Sequence, residues 1–215
     1  MKVSFAITTH NEGECISDLL SQLQEHIEEN ETDDEIVILD DFSTDPDTVY
    51  ILENYSSFPY VQLHKRALER DFGAQKNYLN TLCTGDYIFQ IDADETLAPG
   101  LLQNLHVILA ANSQVDLFHV PRINIVEGLT DEHINQWGWT VNDDGWVMWP
   151  DFQTRLYKNK PEILWAGAVH ERIGGFDKFA HLPEDEIYAI IHRKQIERQE
   201  EQNALYDQIA KNDGT

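Results

Sequence analysis

The sequence predicts an α/β fold with a mainly parallel central sheet and helices on both of its faces. Two observations carry this. Short apolar runs alternate with stretches of helical periodicity through the first half of the chain, the order that builds right-handed β-α-β crossovers. The chain has 215 residues, 41% of them apolar and 10% aromatic, enough for one core that buries roughly 70% of the surface of the unfolded chain.

The first apolar run, residues 3–8, is β-prone and ends at the polar segment Thr9-His10-Asn11-Glu12-Gly13. Ile16, Leu19, Leu20, Leu23 and Ile27 then recur on one helical stripe. Residues 35–39 form the second predicted strand, followed by Asp45 as an N-cap and Pro46 at the first position of a helix reaching about Tyr55. A third strand over 60–63 leads through Arg70-Asp71-Phe72-Gly73 into a helix that stops near Gly85. The fourth strand, 87–91, delivers Asp92-Ala93-Asp94-Glu95 at its carboxyl end. Ligands of open parallel sheets bind outside the carboxyl ends of the strands, where Thr8, Asp41 and Asp92 all fall. After a helix over 101–111 the pattern changes: 115–120 and 152–157 read as strands, and Trp137, Trp139, Trp146 and Trp149 lie between them. Residues 193–211 read as an exposed charged helix. The expectation is one domain over 1–215, with halves 1–112 and 113–215.

Charge restricts the partners. With 15 Lys and Arg against 39 Asp and Glu, the formal net charge is −24. Such a chain repels phosphate backbones and anionic headgroups, and no run of basic residues offsets this, so nucleic acid is not an expected partner. A phosphorylated ligand can still be held through a divalent cation placed between carboxylates and phosphates. No stretch approaches the ~20 apolar residues of a membrane span, and the first residues lack a signal peptide's apolar run. Cys15 and Cys83 have no metal-ligand spacing and read as reduced thiols. These features predict a cytoplasmic protein without a transmembrane segment.

The Asp92-Ala93-Asp94 triplet is not informative by composition, since Asp45-Pro46-Asp47 has the same form. Its position is. It follows a continuous apolar strand, whose end can aim alternate carboxylates at one site. Carboxylate and phosphate oxygens suit Mg²⁺ or Mn²⁺.

Four segments resemble family 2 glycosyltransferases of the GT-A fold. They are Val3-Ser4-Phe5-Ala6-Ile7-Thr8-Thr9-His10-Asn11-Glu12, Ile38-Leu39-Asp40-Asp41-Phe42-Ser43-Thr44-Asp45, Asp86-Tyr87-Ile88-Phe89-Gln90-Ile91-Asp92-Ala93-Asp94-Glu95, and Arg155-Leu156-Tyr157 together with Trp165-Ala166-Gly167-Ala168-Val169-His170-Glu171. The last resembles the branch that includes lipopolysaccharide-core glucosyltransferases, and the likeness covers about residues 2–172. It implies a Rossmann-like GT-A domain whose first half, 1–112, binds a nucleotide-sugar and whose second half, 113–215, faces the acceptor. It implies transfer of one sugar, glucose or a similar hexose, from a UDP-sugar to a carbohydrate or lipid-linked acceptor, with Mn²⁺ or Mg²⁺ as cofactor.

Residue by residue, the resemblance assigns donor binding to Thr8, Asn11, Glu12, Asp41, Lys76, Asp92 and Ala93. Thr8 and Asp41 would contact nucleobase and ribose, Asp92 would sit near the ribose, and Lys76 stands where the family often has Arg. Asp94 would bind the metal, its coordination completed by His170 or by His192. An inverting transfer needs a general base for the acceptor hydroxyl. Glu171 fits that role by motif position, with Asp151 second. Trp137 and Trp139, pointing the same way from an extended segment, would form a sugar platform, whereas Trp165 is expected in the core. Residues 128–135 and 142–145 read as loops over the site. Two other readings compete: a sugar-nucleotide pyrophosphorylase, disfavoured because residues 8–13 lack a Gly-rich basic loop, and a noncatalytic carbohydrate-binding protein, disfavoured by Asp94 and Glu171.

Overall fold

The computed structural model describes residues 1–200. The first half folds as the periodicity predicts: β1 (Val3–Thr9), α1 (Glu14–Glu29), β2 (Glu35–Asp40), α2 (Pro46–Tyr55), β3 (Val61–Lys65), α3 (Phe72–Leu82) and β4 (Tyr87–Asp92). These four strands are parallel, in the order β3-β2-β1-β4. The chain therefore winds outward from β1 to β3, then returns to place β4 on the other side of β1. That reversal is a topological switch point, the crevice where open sheets take ligands.

Alternation along the strands divides the core in two. Val3, Phe5 and Ile7 of β1 face one side, against Ile16, Leu19, Leu20 and Leu23 of α1 and Leu101, Leu105 and Leu109 of α4 (Pro99–Ala111). Ala6, Val37, Leu39 and Ile88 face the other, against Leu79 of α3 and Trp165. The α1 stripe is fully used, and His26 lies on it as a buried residue as well. The expected cap of α2 forms, Asp45 accepting from the Thr48 N–H at 2.8 Å. Asp71 caps α3 in the same way, accepting from the Ala74 N–H at 2.8 Å.

The second half adds to the same sheet. With β5 (Glu95–Leu97) and α4 intervening, β6 (Leu117–Val120), β8 (Gln153–Lys158) and β11 (Phe179–His181) extend it to β11-β6-β8-β4-β1-β2-β3. β8 runs antiparallel between β4 and β6. A separate three-stranded sheet, β5-β12-β7, joins β7 (Arg122–Glu127) to β12 (Ile190–Gln195), and β9 (Leu164–Ala166) pairs with β10 (Arg172–Gly174).

Three expectations are corrected. The helix expected from Arg193 begins later, because residues 193–195 end strand β12, hydrogen-bonded along β7, and only 196–200 are helical; its remainder, 201–211, lies outside the described residues. The loop read over 128–135 contains the start of helix α5 (Asp131–Trp137), opened by a Thr130–His133 capping box and closed by Gly138 at φ 66°. Trp137 thus ends a helix rather than lying in an extended segment. Its ring still meets that of Trp139 at 4.7 Å. Among the described residues no helix is long and apolar enough to cross a membrane.

Candidate functional site

A cavity of about 680 Å³ opens at the carboxyl ends of β1, β2 and β4. Sheet register gathers its floor: Thr8 of β1 is paired with Asp92 of β4, and Thr9 with Asp40 of β2, one residue before Asp41. Thr8, Glu12, Asp41, Lys76, Asp92, Ala93, Asp94, Asp151, His170, Glu171 and His192 all line it. Asn11 does not. Its side-chain oxygen accepts from the Thr44 and Asp45 N–H groups at 2.7 and 2.9 Å, and its backbone at φ 55° turns the chain out of β1, so it shapes the loop rather than facing the cavity. Asp41 Oδ1 accepts from the Leu68 N–H at 2.9 Å, tying the loop after β3 to the end of β2.

Asp94 and His192 form the contact with the clearest chemical meaning. Asp94 Oδ2 and His192 Nε2 are 3.3 Å apart. Asn124 decides which way the imidazole faces. Its amide nitrogen lies 2.9 Å from Asp151 Oδ2 and so donates, which turns its oxygen toward His192 Nδ1 at 3.1 Å. Nδ1–H then donates to that oxygen, and Nε2 is left facing a carboxylate oxygen, to which it donates when protonated and beside which it can act as a ligand when it is not. A carboxylate oxygen and an imidazole nitrogen so placed are a pair that could hold a cation. Burial alone would raise the Asp94 pKa, but contact with His192 outweighs it and holds the carboxyl below its usual range. His192 reaches the site from β12, which pairs with β5 directly after the Asp94 turn, His192 opposite Glu95. His170 lines the cavity from an exposed position at φ 54° and makes no three-residue cluster of metal-ligating atoms with Asp94 and His192 among the described residues.

Asp92 is turned away from a metal-ligand role by Arg155, which contacts both its oxygens, Nη1 to Oδ1 at 3.2 Å and Nη2 to Oδ2 more closely. Burial raises the Asp92 pKa, and the charges of Arg155 and Lys76 more than reverse this, leaving it well below the ordinary carboxylate range. Behind it lies an ion network that motif reading missed. Glu95, fully buried, accepts from Arg122 Nη1 at 2.9 Å, Arg155 Nη2 at 3.2 Å and the Asp92 N–H at 3.0 Å. Asp151 belongs to it too: Oδ2 accepts from Arg122 at 2.7 and 3.0 Å and Asn124 at 2.9 Å, and Oδ1 from Gln153 at 2.7 Å. Burial would raise the Asp151 pKa, but Arg122 and these donors lower it. A carboxylate so occupied is a poor proton acceptor.

Glu171 is placed differently. It sits on the segment between β9 and β10 and pairs through Oε1 with Lys76 Nζ, a contact with partner side chains only 16% and 7% exposed. Lys76 in turn lies 4.6 Å over the Trp165 ring. Trp165 is in the core as expected, its indole N–H donating to the Tyr157 hydroxyl at 3.0 Å. The segment is docked on α3: the Phe72 N–H donates to the Ala168 carbonyl at 3.0 Å, and a Cβ at Gly73 would lie 2.6 Å from the Gly167 carbonyl oxygen.

Arg198 closes the remaining side, contacting Glu12 and lying 3.5 Å from Asp94 Oδ2. Burial raises the Glu12 pKa beyond what Arg198 takes back. Lys76, Arg122, Arg155, Lys194 and Arg198 thus all line a cavity in a chain with only 15 basic residues.

A switch-point crevice lined by strand-end carboxylates and by the cations paired with them, on a sheet of this order, is the frame of a GT-A fold. The chain belongs to glycosyl transferase family 2, whose family model matches residues 4–182. It is 29% identical over 148 residues to abequosyltransferase RfbV of Salmonella typhimurium, covering 67% of this chain and 43% of that protein. An uncharacterized glycosyltransferase of Rickettsia felis is 31% identical over 116 residues, 53% of this chain and 36% of that protein. The chain therefore spans less than half the length of these curated relatives. Among solved structures, S. aureus TarS 1-349 in complex with UDP-GlcNAc superposes with a TM-score of 0.65 at 17% identity, covering 90% of this chain and 59% of that one.

Proposed function

We propose that this chain transfers a single hexose, glucose or a similar sugar, from a UDP-sugar to a carbohydrate or lipid-linked acceptor, inverting the anomeric carbon with the help of a divalent cation. Residues 1–112 serve the donor and the later half serves the acceptor. The observation that carries the reading is the Asp94–His192 pair at the switch point. One hard carboxylate oxygen and one neutral imidazole nitrogen 3.3 Å apart are spaced as two neighbouring ligands of one ion at about 2.0–2.2 Å from each. The donor set fits Mn²⁺ or Mg²⁺ completed by diphosphate oxygens and water. Such an ion, when bound, supplies Lewis-acid neutralisation of the leaving nucleoside diphosphate.

The chain's own residues do the rest. Thr8 and Asp41, at the strand ends, face the nucleoside. Lys76 holds Glu171 in one orientation, so that its carboxylate receives the acceptor's hydroxyl proton as the new glycosidic bond forms and the old bond to the diphosphate breaks. Arg155 keeps Asp92 ionised and oriented beside the donor. The complex of S. aureus TarS with UDP-GlcNAc supports a UDP-sugar donor for the present chain, and the likeness to a Salmonella abequosyltransferase supports sugar transfer.

Calorimetric titration with UDP in the presence and absence of Mn²⁺ tests the reading. Wild type is expected to bind UDP at least tenfold more tightly with the metal, and Asp94→Ala to lose that difference; an unchanged difference in the variant would remove Asp94 from the metal site. Glu171→Gln is expected to keep UDP affinity while transfer falls about 10²–10⁴-fold, the usual contribution of a general base, and undiminished transfer would move the base elsewhere.

A further inference from the structure

The amino end of the sheet carries a second cluster with ligand chemistry. Asp34 lies just before β2, and its Oδ1 accepts from the Val3 N–H at 2.7 Å, at the first residue of β1. The donor cavity is at the other end of that strand, some seven residues or roughly 20 Å away. His106 Nε2 of α4 lies 2.8 Å from Asp34 Oδ2, and His26 Nε2 of α1 lies 3.4 Å from the same atom. One ligand atom from each of the three falls within 4.8 Å of the others.

His26 makes this more than a hydrogen-bonded pair. Its side chain is 5% exposed and Asp34's is 0% exposed, set among the apolar residues of α1 with the Phe5 ring edge-on at 5.8 Å. Yet His26 Nε2 has no hydrogen-bond partner among the described residues: its approach to Asp34 is close but misaligned for N–H donation. A buried polar atom left in that state costs free energy. Asn30 donates its amide N–H to the His26 carbonyl at 2.8 Å and lies 3.4 Å from Nδ1, so in the metal-free protein the proton sits on Nε2 and must leave when a metal binds. Nε2 held 3.4 Å from a carboxylate oxygen without a hydrogen bond between them is instead the spacing of two ligands on one ion. Metal–ligand distances of about 2.0–2.2 Å place neighbouring tetrahedral ligand atoms about 3.3 Å apart, close to the His26–Asp34 spacing. His106 would retreat by about half an ångström, and it is the residue free to do so, its side chain being 32% exposed.

We propose that His26, Asp34 and His106 form a zinc-class divalent metal site, separate from the sugar-transfer site, that fastens α1, the entry to β2 and α4 together. Two imidazoles and one carboxylate favour Zn²⁺ or Co²⁺ over Mg²⁺ and Ca²⁺, which take oxygen sets. The Val3 N–H orients the carboxylate as a supporting partner of the site. The exposed edge of His106 is the entry path and leaves a fourth position to water.

The test uses the full chain, stripped with chelator, as wild type and in an Asp94→Ala background that removes the donor-site ligand. Zn²⁺ is titrated by calorimetry, Co²⁺ by visible absorption, and thermal unfolding is followed with Zn²⁺ or Mg²⁺. One equivalent of Zn²⁺ is expected in the Asp94→Ala protein, with a tetrahedral-type Co²⁺ spectrum and a rise in Tm that Mg²⁺ does not give. His106→Ala, at a half-open position that tolerates truncation, is expected to weaken Zn²⁺ more than tenfold, since losing a ligand costs at least what losing a supporting partner does, about 10–100-fold. His26→Gln is expected to do the same. Absence of Zn²⁺ binding in the Asp94→Ala protein, or unchanged affinity in His106→Ala, overturns the proposal and leaves the three residues a purely hydrogen-bonded group.

Discussion

Replacing Arg155 with methionine isolates the ion network beneath the site. Arg155 is 5% exposed and serves two carboxylates. Breaking a buried pair by removing one partner costs about 3–5 kcal/mol, because the abandoned charge stays desolvated. Two features pull the figure to the lower end. Asp92's side chain is 36% exposed and can turn to water, and Glu95 keeps Arg122 at 2.9 Å and the Asp92 N–H at 3.0 Å. Methionine retains most of the buried length of the side chain, so a cavity adds little. The expected loss is about 3 kcal/mol, which for a chain of this size lowers Tm by roughly 6–12 °C. Urea unfolding followed by tryptophan fluorescence measures it, with m compared to wild type. Adding Glu95→Gln should restore part of the loss, giving a coupling above about 1 kcal/mol in a double-mutant cycle. A loss below about 1 kcal/mol at unchanged m would refute the idea that the cavity floor rests on these buried charges.

Two further outcomes follow from the packing. Gly73→Ala pushes a Cβ against the Gly167 carbonyl, which is backbone and can yield only by moving the segment that carries Glu171; kcat should fall about 10–100-fold, the scale of an ångström's misplacement, while UDP affinity measured by calorimetry changes less than about threefold. Asp116 accepts from Lys160 at 2.9 Å, Lys158 at 3.1 Å and two backbone N–H groups at 3.2 Å, Lys160 first among the groups that hold its pKa well below the usual range. Because the folded pKa lies under the unfolded value near 3.9, its stabilisation is fully present above about pH 5 and is lost as pH falls further. Asp116→Asn should therefore cost about 1–3 kcal/mol at pH 7, and urea midpoints of variant and wild type should converge towards pH 3; a gap that stays constant with pH would refute the assignment.

What could be read from the sequence was what local physics determines. Ile16, Leu19, Leu20, Leu23 and Ile27 mark α1 because a helix repeats every 3.6 residues, and Asp45-Pro46 marks the start of α2 because a cap is a contact within four residues. Asp92 and Asp94 were legible because their strand is continuous and apolar. β12 was not, since Ile190-Ile191-His192-Arg193-Lys194-Gln195 loses its apolar character halfway and owes its extended form to β7 and β5, remote in sequence. His192 consequently stood as one of two open choices until that pairing placed it beside Asp94. The Arg155 network was hidden for a similar reason: a lone Arg on an apolar strand signals a buried partner, but Glu95 and Asp92 are some 60 residues away. His26 carried a signal that went unused. Three residues after Leu23 and next to Ile27, it falls on the buried stripe of α1, where an imidazole must find a partner.

The charge of the chain shows how far composition and site can diverge. A net −24 argued that no basic cluster awaits a phosphate, and along the sequence none exists. The fold assembles one anyway. Lys76 comes from α3, Arg122 from β7, Arg155 from β8, Lys194 from β12 and Arg198 from the helical turn after it, and all five reach the cavity lined by Glu12, Asp41, Asp92, Asp94, Asp151 and Glu171. The cavity is thus close to electroneutral, and nearly all the excess negative charge lies on the rest of the molecule. Pairing fixes the geometry of Lys76, Arg122, Arg155 and Arg198 before any donor arrives: these cations hold carboxylates in place rather than waiting as bare phosphate hooks, so little reorganisation is required at the reacting centre. The Asp94–His192 contact is where the proposed function puts the divalent cation, beside a carboxylate that Arg198 approaches no closer than 3.5 Å. Under the proposed function, a divalent ion held there would let an anionic protein accept an anionic donor by adding positive charge where the near-neutral cavity meets the diphosphate.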